Sequence, residues 1–293
     1  MARTEIRPLI ALVLLALIWG YNWVLMKQAL TWSAPLDFAA LRSVLGGVCL
    51  LLVLAMMRAP LKPVHWRTVL LLGLLQTSGF IGCIALALEF GAVGKSTVLA
   101  YTMPFWALGF GVLFAGERLK RLQWWALVLA FSGLLFILAP WSGPFGAGSW
   151  LALAAGAFWG ISVLISKRLP LSGTAALINV SAWQMLWGGL VLVPLAWLLP
   201  GRPLDWNGTF VWVLAYNAIP ASALAWWLWL YVVKQLPVSV SSLSSLAVPV
   251  VSLLLAWWLL GEQPATYEVA GMLLIFAALG VLSLAARRVL AAR

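Results

Sequence analysis

The sequence predicts an all-α integral membrane protein of ten transmembrane helices, built as two inverted five-helix repeats. Three observations lead there. First, 65% of the 293 residues are hydrophobic and only 9% charged. Soluble domains carry about 25% charged residues, and no soluble fold hides that much apolar surface. Second, the chain is written twice. Leu17-Ile18-Trp19-Gly20-Tyr21-Asn22, closing on Lys27, returns as Ala157-Phe158-Trp159-Gly160-Ile161-Ser162, closing on Lys167, an offset of 140. Pro104 with Gly116-Glu117 returns as Pro249 with Gly261-Glu262, an offset of 145. Third, each copy carries five apolar runs. Five is odd, so the second copy sits in the bilayer upside down relative to the first.

A helix needs about 20 apolar residues to cross hydrocarbon. Uncharged stretches over Pro8–Met26, Thr68–Leu88 and Ser96–Gly116 supply spans 1, 3 and 4. Span 2, Leu36–Met57, is apolar apart from Asp37 and Arg42. Leu122–Ser166 runs 45 residues without a charge. It must fold back, and the segment from Pro140 to Gly146 supplies the turn between spans 5 and 6. Leu169–Gly201, Trp206–Val233, Gln235–Gly261 and Val269–Ala286 supply spans 7 to 10. The predicted spans lie near 8–27, 36–57, 68–88, 92–114, 122–139, 149–167, 175–199, 208–233, 239–260 and 267–286. The first repeat covers 1–140 and the second 147–293. Barrel strands would alternate in polarity over about ten residues, and these runs do not. Span 1 lacks a small-x-small cleavage site, so it reads as a membrane span and not a cleaved signal peptide.

With the N-terminus inside, 14 of the 18 Lys and Arg fall in cytoplasmic segments. Lys27, Lys95 and Arg202 fall outside, and Arg42 lies within a span. That bias places both termini in the cytoplasm. The net charge of +11 is therefore topology, with some attraction to anionic lipid, and not a nucleic-acid footprint. Cys49 and Cys83 lie in spans and fit neither a disulfide framework nor a metal spacing. There is a single histidine, His65, and no Walker A loop. No cofactor is implied.

Inverted duplication is an architecture of secondary transporters, with the substrate site at the interface of the halves. Trp19-Gly20-Tyr21-Asn22…Lys27, Trp159-Gly160-Ile161-Ser162…Lys167, Pro104…Gly116-Glu117-Arg118 and Pro249…Gly261-Glu262 together resemble the drug/metabolite transporter superfamily. Within it they are similar to the ten-helix EamA-type exporters. The resemblance covers the whole chain. It departs at Glu262-Gln263, where the first copy has Glu117-Arg118. Twenty tryptophans make the chain look like the aromatic amino acid exporters of that group. What the resemblance implies is a carrier in the bacterial inner membrane that moves such amino acids out of the cell.

Depth along a helix follows from its rise of about 1.5 Å per residue. Trp19 and Trp159 fall at matching depths, as walls for an aromatic or apolar substrate or as bulk packed beside a glycine that admits a neighbouring helix. Asn22, Ser162 and Gln76 need polar partners at that depth, which makes them cavity linings or helix–helix contacts. Trp106 and Trp227 are further candidate walls. Pro104 and Pro249 free the carbonyls of Ala100 and Ser245, and Tyr101, Ser244 and Ser245 lie beside these breaks. Spans 4 and 9 therefore line the pathway and flex, or carry static bends. Arg42 is placed to snorkel outward or to pair with Asp37 or Glu89 as a gate, and less readily to hold a substrate carboxylate.

Carboxylates otherwise fall at span ends, which leaves no acidic relay for protons. Facilitated export without obligatory proton coupling is the expectation. A channel would show charge rings or a carbonyl filter, and an enzyme a clustered acid, base or metal site. A structural scaffold would have no use for inverted duplication. Sugar-phosphate or nucleotide-sugar cargo calls for several cations in the interior, where Arg42 stands alone.

Overall fold

Hydrocarbon offers the backbone no water to bond, so long apolar runs close their hydrogen bonds internally as helices. The computed structural model describes residues 3–90, 93–116, 119–139, 141, 146–199, 201–260, 263 and 265–291. Among them the helices follow the predicted order: Arg3–Ala29, Pro35–Met56, Trp66–Phe90, the fourth span beginning at Val93, Arg121–Leu138, Ala147–Arg168, Gly173–Leu198, Gly208–Gln235, the ninth beginning at Val238, and Thr266–Ala291. Among the described residues, nine spans are long and apolar enough to cross a membrane, and Thr266–Val281 is a shorter apolar helix. The predicted turn over Pro140 and Ser142–Phe145 lies outside the described residues, as do Glu117, Arg118, Gly261 and Glu262.

Spans 4 and 9 are each two helices. Span 4 runs Val93–Ala100 and then Met103–Ala115; span 9 runs Val238–Ser244 and then Ala247–Leu260. In both, the proline falls in the first turn of the second segment, where its missing N–H has no helical partner to lose. The expected kink is thus a complete interruption. Hydroxyls stitch it. Thr102 Oγ1 donates to the Leu99 carbonyl and Ser245 Oγ to the Ser242 carbonyl, each at 2.7 Å.

Spans 3 and 8 carry wide π-turns at matching places, over Gly73–Ile81 and Ile219–Leu224. Such turns are rare and cluster at functional sites. Pro220 accounts for the second; no proline marks the first.

The two repeats are interleaved. Span 1 packs on spans 8 and 9, span 6 on spans 3 and 4, span 2 on span 7 and span 5 on span 10. Glycines set the closest approaches. A Cβ at Gly20 would stand 2.5 Å from Val251 Cγ1; one at Gly160 would stand 2.7 Å from Trp106 Cβ and 2.9 Å from the Ala107 nitrogen. Trp106 and Val251 are themselves 145 residues apart, each two residues beyond its proline. The Trp-Gly signature therefore serves packing in both copies.

Matching lysines close the ends of spans 3 and 8. Lys27 Nζ donates to the Leu88 carbonyl at 2.6 Å. Lys167 Nζ donates to the carbonyls of Val233 and Leu236 at 2.8 Å. A cation at a helix C-terminus satisfies orphan carbonyls and meets the negative end of the helix dipole.

Candidate functional site

Trp19 and Trp159 meet in the centre, across the two repeats, with ring centroids 5.6 Å apart. Phe80 packs on Trp159 at 4.9 Å, and Trp226 on Trp19 at 5.2 Å. Trp226 lies 146 residues after Phe80, so these two contacts are counterparts. Trp229 touches both central rings, at 5.9 and 5.2 Å, and Tyr101 reaches Trp159 at 5.4 Å. Edge-on geometry dominates, as ring quadrupoles favour. The π-turn of span 8 supplies an acceptor to this group: Trp19 Nε1 donates to the Ala221 carbonyl at 3.0 Å. Trp159 and Trp229 keep indole N–H groups buried with no partner.

A central cavity of about 30 Å³ lies against these rings. Trp19, Asn22, Trp23, Arg42, Phe80, Tyr101, Trp159 and Trp226 are among its walls. That volume holds a water or two and no amino acid, so this conformation is contracted around its centre. A separate groove of about 710 Å³ opens at the end of the molecule that carries His65, Thr68, Arg168 and Pro170. Phe110, Phe114 and Ile161 line it further along.

The structure gathers four of the sequence candidates, Trp19, Asn22, Tyr101 and Trp159, together with Arg42. Asn22 Nδ2 donates to Met26 Sδ at 3.0 Å, and its Oδ1 is buried without a partner. The other candidates stand elsewhere. Ser162 Oγ donates to the Trp159 carbonyl at 2.7 Å, which holds the helix bearing that ring. Gln76 is buried in the π-turn of span 3 and is not among the cavity walls. Trp106 stacks on Phe110 with centroids 5.9 Å apart and donates to Thr102 Oγ1 at 3.2 Å. Trp227 is half-buried against both the central core and a smaller cluster that holds Val69, Leu72 and Leu177, and is not among the cavity walls. Ser245 is spent on its helix break, and Ser244 beside it is half-buried. Pro104 and Pro249 begin the second segments of spans 4 and 9.

Arg42 departs from its expected pairing. It is 2% exposed, so it does not snorkel. Glu89 instead binds Arg202 at 2.7 Å, because both lie beside the loop after span 7, where Arg202 also donates to the Leu30 carbonyl. Arg42 turns inward to Ser222.

Sequence reading missed Phe80, Trp226, Trp229 and Ser222. Adding the 145-residue offset of the proline motifs to Phe80 would have reached Trp226 within a residue. Trp226 and Trp229 are also three apart, on one helix face.

Broken spans, paired π-turns and a buried aromatic centre between interleaved repeats define a multi-pass membrane transporter. The chain matches the EamA-like transporter family model twice, over residues 6–139 and 146–284, and belongs to that family. It is 29% identical to the "Uncharacterized transporter YoaV" of Bacillus subtilis (strain 168), over 92% of this chain and 94% of that protein. It is also 29% identical to a "Probable amino-acid metabolite efflux pump" of Salmonella typhimurium, covering 91% of each chain. A "Riboflavin transporter" of Rhizobium johnstonii matches at 28% over 64% of this chain and 60% of that one. A solved crystal structure shares the fold, with a TM-score of 0.78 at 21% identity over 96% of this chain and 97% of the other.

Replacing Pro104 or Pro249 with alanine is expected to lower transport several-fold while folded yield, read by size-exclusion chromatography, stays near wild type. The hydroxyl-stitched breaks would then be moving parts. Equal losses of transport and yield would make them static bends.

Proposed function

We propose that this protein exports aromatic and other apolar amino acids across the bacterial cytoplasmic membrane by alternating access. In this reading ten helices form two inverted five-helix repeats, and both termini face the cytoplasm. The observation that carries it is the central cluster of Trp19, Trp159, Trp226, Trp229, Phe80 and Tyr101, all but Trp229 lining a cavity shared by the repeats. Such a cluster suits a cargo with an aromatic or apolar side chain. Inversion is supported by the ends that the matched first helices reach. Lys27 meets the end of span 3, whereas Arg168 shares a groove with His65 at its start. In this frame the groove opens to the cytoplasm, the side from which an exporter loads.

Counterflow in proteoliposomes tests the reading. Labelled tryptophan or phenylalanine should accumulate transiently in vesicles preloaded with the same amino acid, and saturate. If neither these nor threonine or methionine shows counterflow, the reading is wrong. Among the described residues the cavity walls include no carboxylate or histidine, which supports uniport without protons. An imposed pH gradient is therefore expected to leave tryptophan at equal concentrations on both sides. Concentrative movement would establish proton coupling.

A further inference from the structure

Arg42 is a fully buried cation with a neutral partner. Its Nε and Nη2 both donate to one atom, Ser222 Oγ, at 3.1 and 2.9 Å. Its Nη1 is buried and has no partner. Among the described residues no carboxylate pairs with it. A guanidinium does not give up its proton in a protein. An uncompensated charge in a dry interior is strongly disfavoured unless something pairs with it.

The surroundings hold this side chain in place. Gly46 lies one turn beyond Arg42, on the same face of span 2. A Cβ there would stand 2.8 Å from the Ala218 carbonyl oxygen and 3.0 Å from Ser222 Cβ. The missing side chain lets the π-turn of span 8 dock on span 2 and present its hydroxyl to two guanidinium nitrogens. Arg42 lines the central cavity with Asn22, whose Oδ1 is also buried and unpartnered, and with Trp19, Trp159 and Trp226. A fixed cationic donor, a neutral acceptor and an aromatic wall suit the three parts of an aromatic α-amino acid.

We propose that Arg42 anchors the carboxylate of the cargo. Nη1 takes the α-carboxylate, Asn22 Oδ1 takes the ammonium, and the tryptophan cluster takes the side chain. The inference rests on the amino-acid reading and narrows it. Cargo must bear an anionic group, so amines and neutral aromatics of equal size are refused. A charge-assisted hydrogen bond from Nη1 has the strength for such discrimination.

The test uses the purified full-length protein and matched ligand pairs that differ by a carboxylate: L-tryptophan against tryptamine, and 3-indolepropionate against 3-indolepropanol. Thermal stability in detergent and inhibition of counterflow are both read. The carboxylate member of each pair should act at roughly ten- to a hundredfold lower concentration than its partner. In Arg42→Gln that gap should close to about threefold or less, and Arg42→Lys should keep part of it. Wild-type protein that takes tryptamine as readily as tryptophan overturns the proposal, and so does a gap that survives in Arg42→Gln. A thermal shift by sodium chloride equal to that by tryptophan would assign the site to an inorganic anion and also overturn it. If tryptophan has no effect but indolepropionate shows an Arg42-dependent gap, the amino-acid reading falls and the anchor stands. Should Arg42→Gln fail to fold, the ligand pairs on wild-type protein decide alone.

Discussion

Trp159→Ala is expected to abolish counterflow, with at least a tenfold loss per folded molecule. The ring is 1% exposed and touches Trp19, Phe80, Tyr101, Trp226 and Trp229. Removing it opens a cavity bounded by five other rings, and Trp→Ala changes in packed cores cost about 3–5 kcal/mol. Lipid weakens the hydrophobic share of that figure, since tails are as apolar as the interior. The lost contacts remain. Trp159→Phe should keep folding and part of the activity. Trp19→Phe should be milder than Trp19→Ala, because it loses the hydrogen bond to the Ala221 carbonyl but keeps most of the ring contacts. Counterflow with melting temperature checks both series. A Trp159→Ala protein that transports at the wild-type rate would remove the aromatic centre from the mechanism.

Gly160→Val is the second large effect. Its Cβ would meet Trp106 Cβ at 2.7 Å and the Ala107 backbone nitrogen at 2.9 Å. Backbone cannot swing aside as a side-chain tip can, so spans 6 and 4 must part. Overpacking of this kind costs about 1–3 kcal/mol or more, read as reduced yield and a lower melting temperature. Gly20 faces a softer obstacle, since the first atom met is the Val251 Cγ1 methyl at 2.5 Å. Gly20→Ala should therefore be rescued in part by Val251→Ala, a coupling that a double-mutant cycle reads directly. A double variant no better than Gly20→Ala alone would mean that this contact does not set the span 1 to span 9 distance.

Much of this architecture was legible in the residues. Uncharged length located the spans within a few residues, because hydrocarbon permits little else. Repetition paired Trp19 with Trp159 and Pro104 with Pro249, and the structure breaks spans 4 and 9 at matching places. The site was less legible. In span 8 depth alone does not separate Trp226, Trp227 and Trp229; the i, i+4, i+7 spacing of Ser222, Trp226 and Trp229 does, since it sets them on one face away from Trp227. The π-turn of span 3 has no proline to mark it; at its start Gly73 lies so close to span 7 that a Cβ there would stand 2.8 Å from the Gln184 carbonyl oxygen and 3.1 Å from the Gly188 nitrogen. Depth alone suggested that Arg42 would reach the surface. The close docking of span 8 at Gly46, which no local pattern announces, turns it inward.

The interleaving of the repeats bears on how the chain is made. A ribosome releases helices in order, yet spans 1, 2 and 5 find their chief neighbours among spans 7 to 10. Until those are synthesised, the early helices stand in lipid with their glycine-lined faces bare. Neither half is a finished module. A nascent chain stopped near residue 140 lacks the surfaces that would complete it, and maturation becomes a late, all-at-once closure.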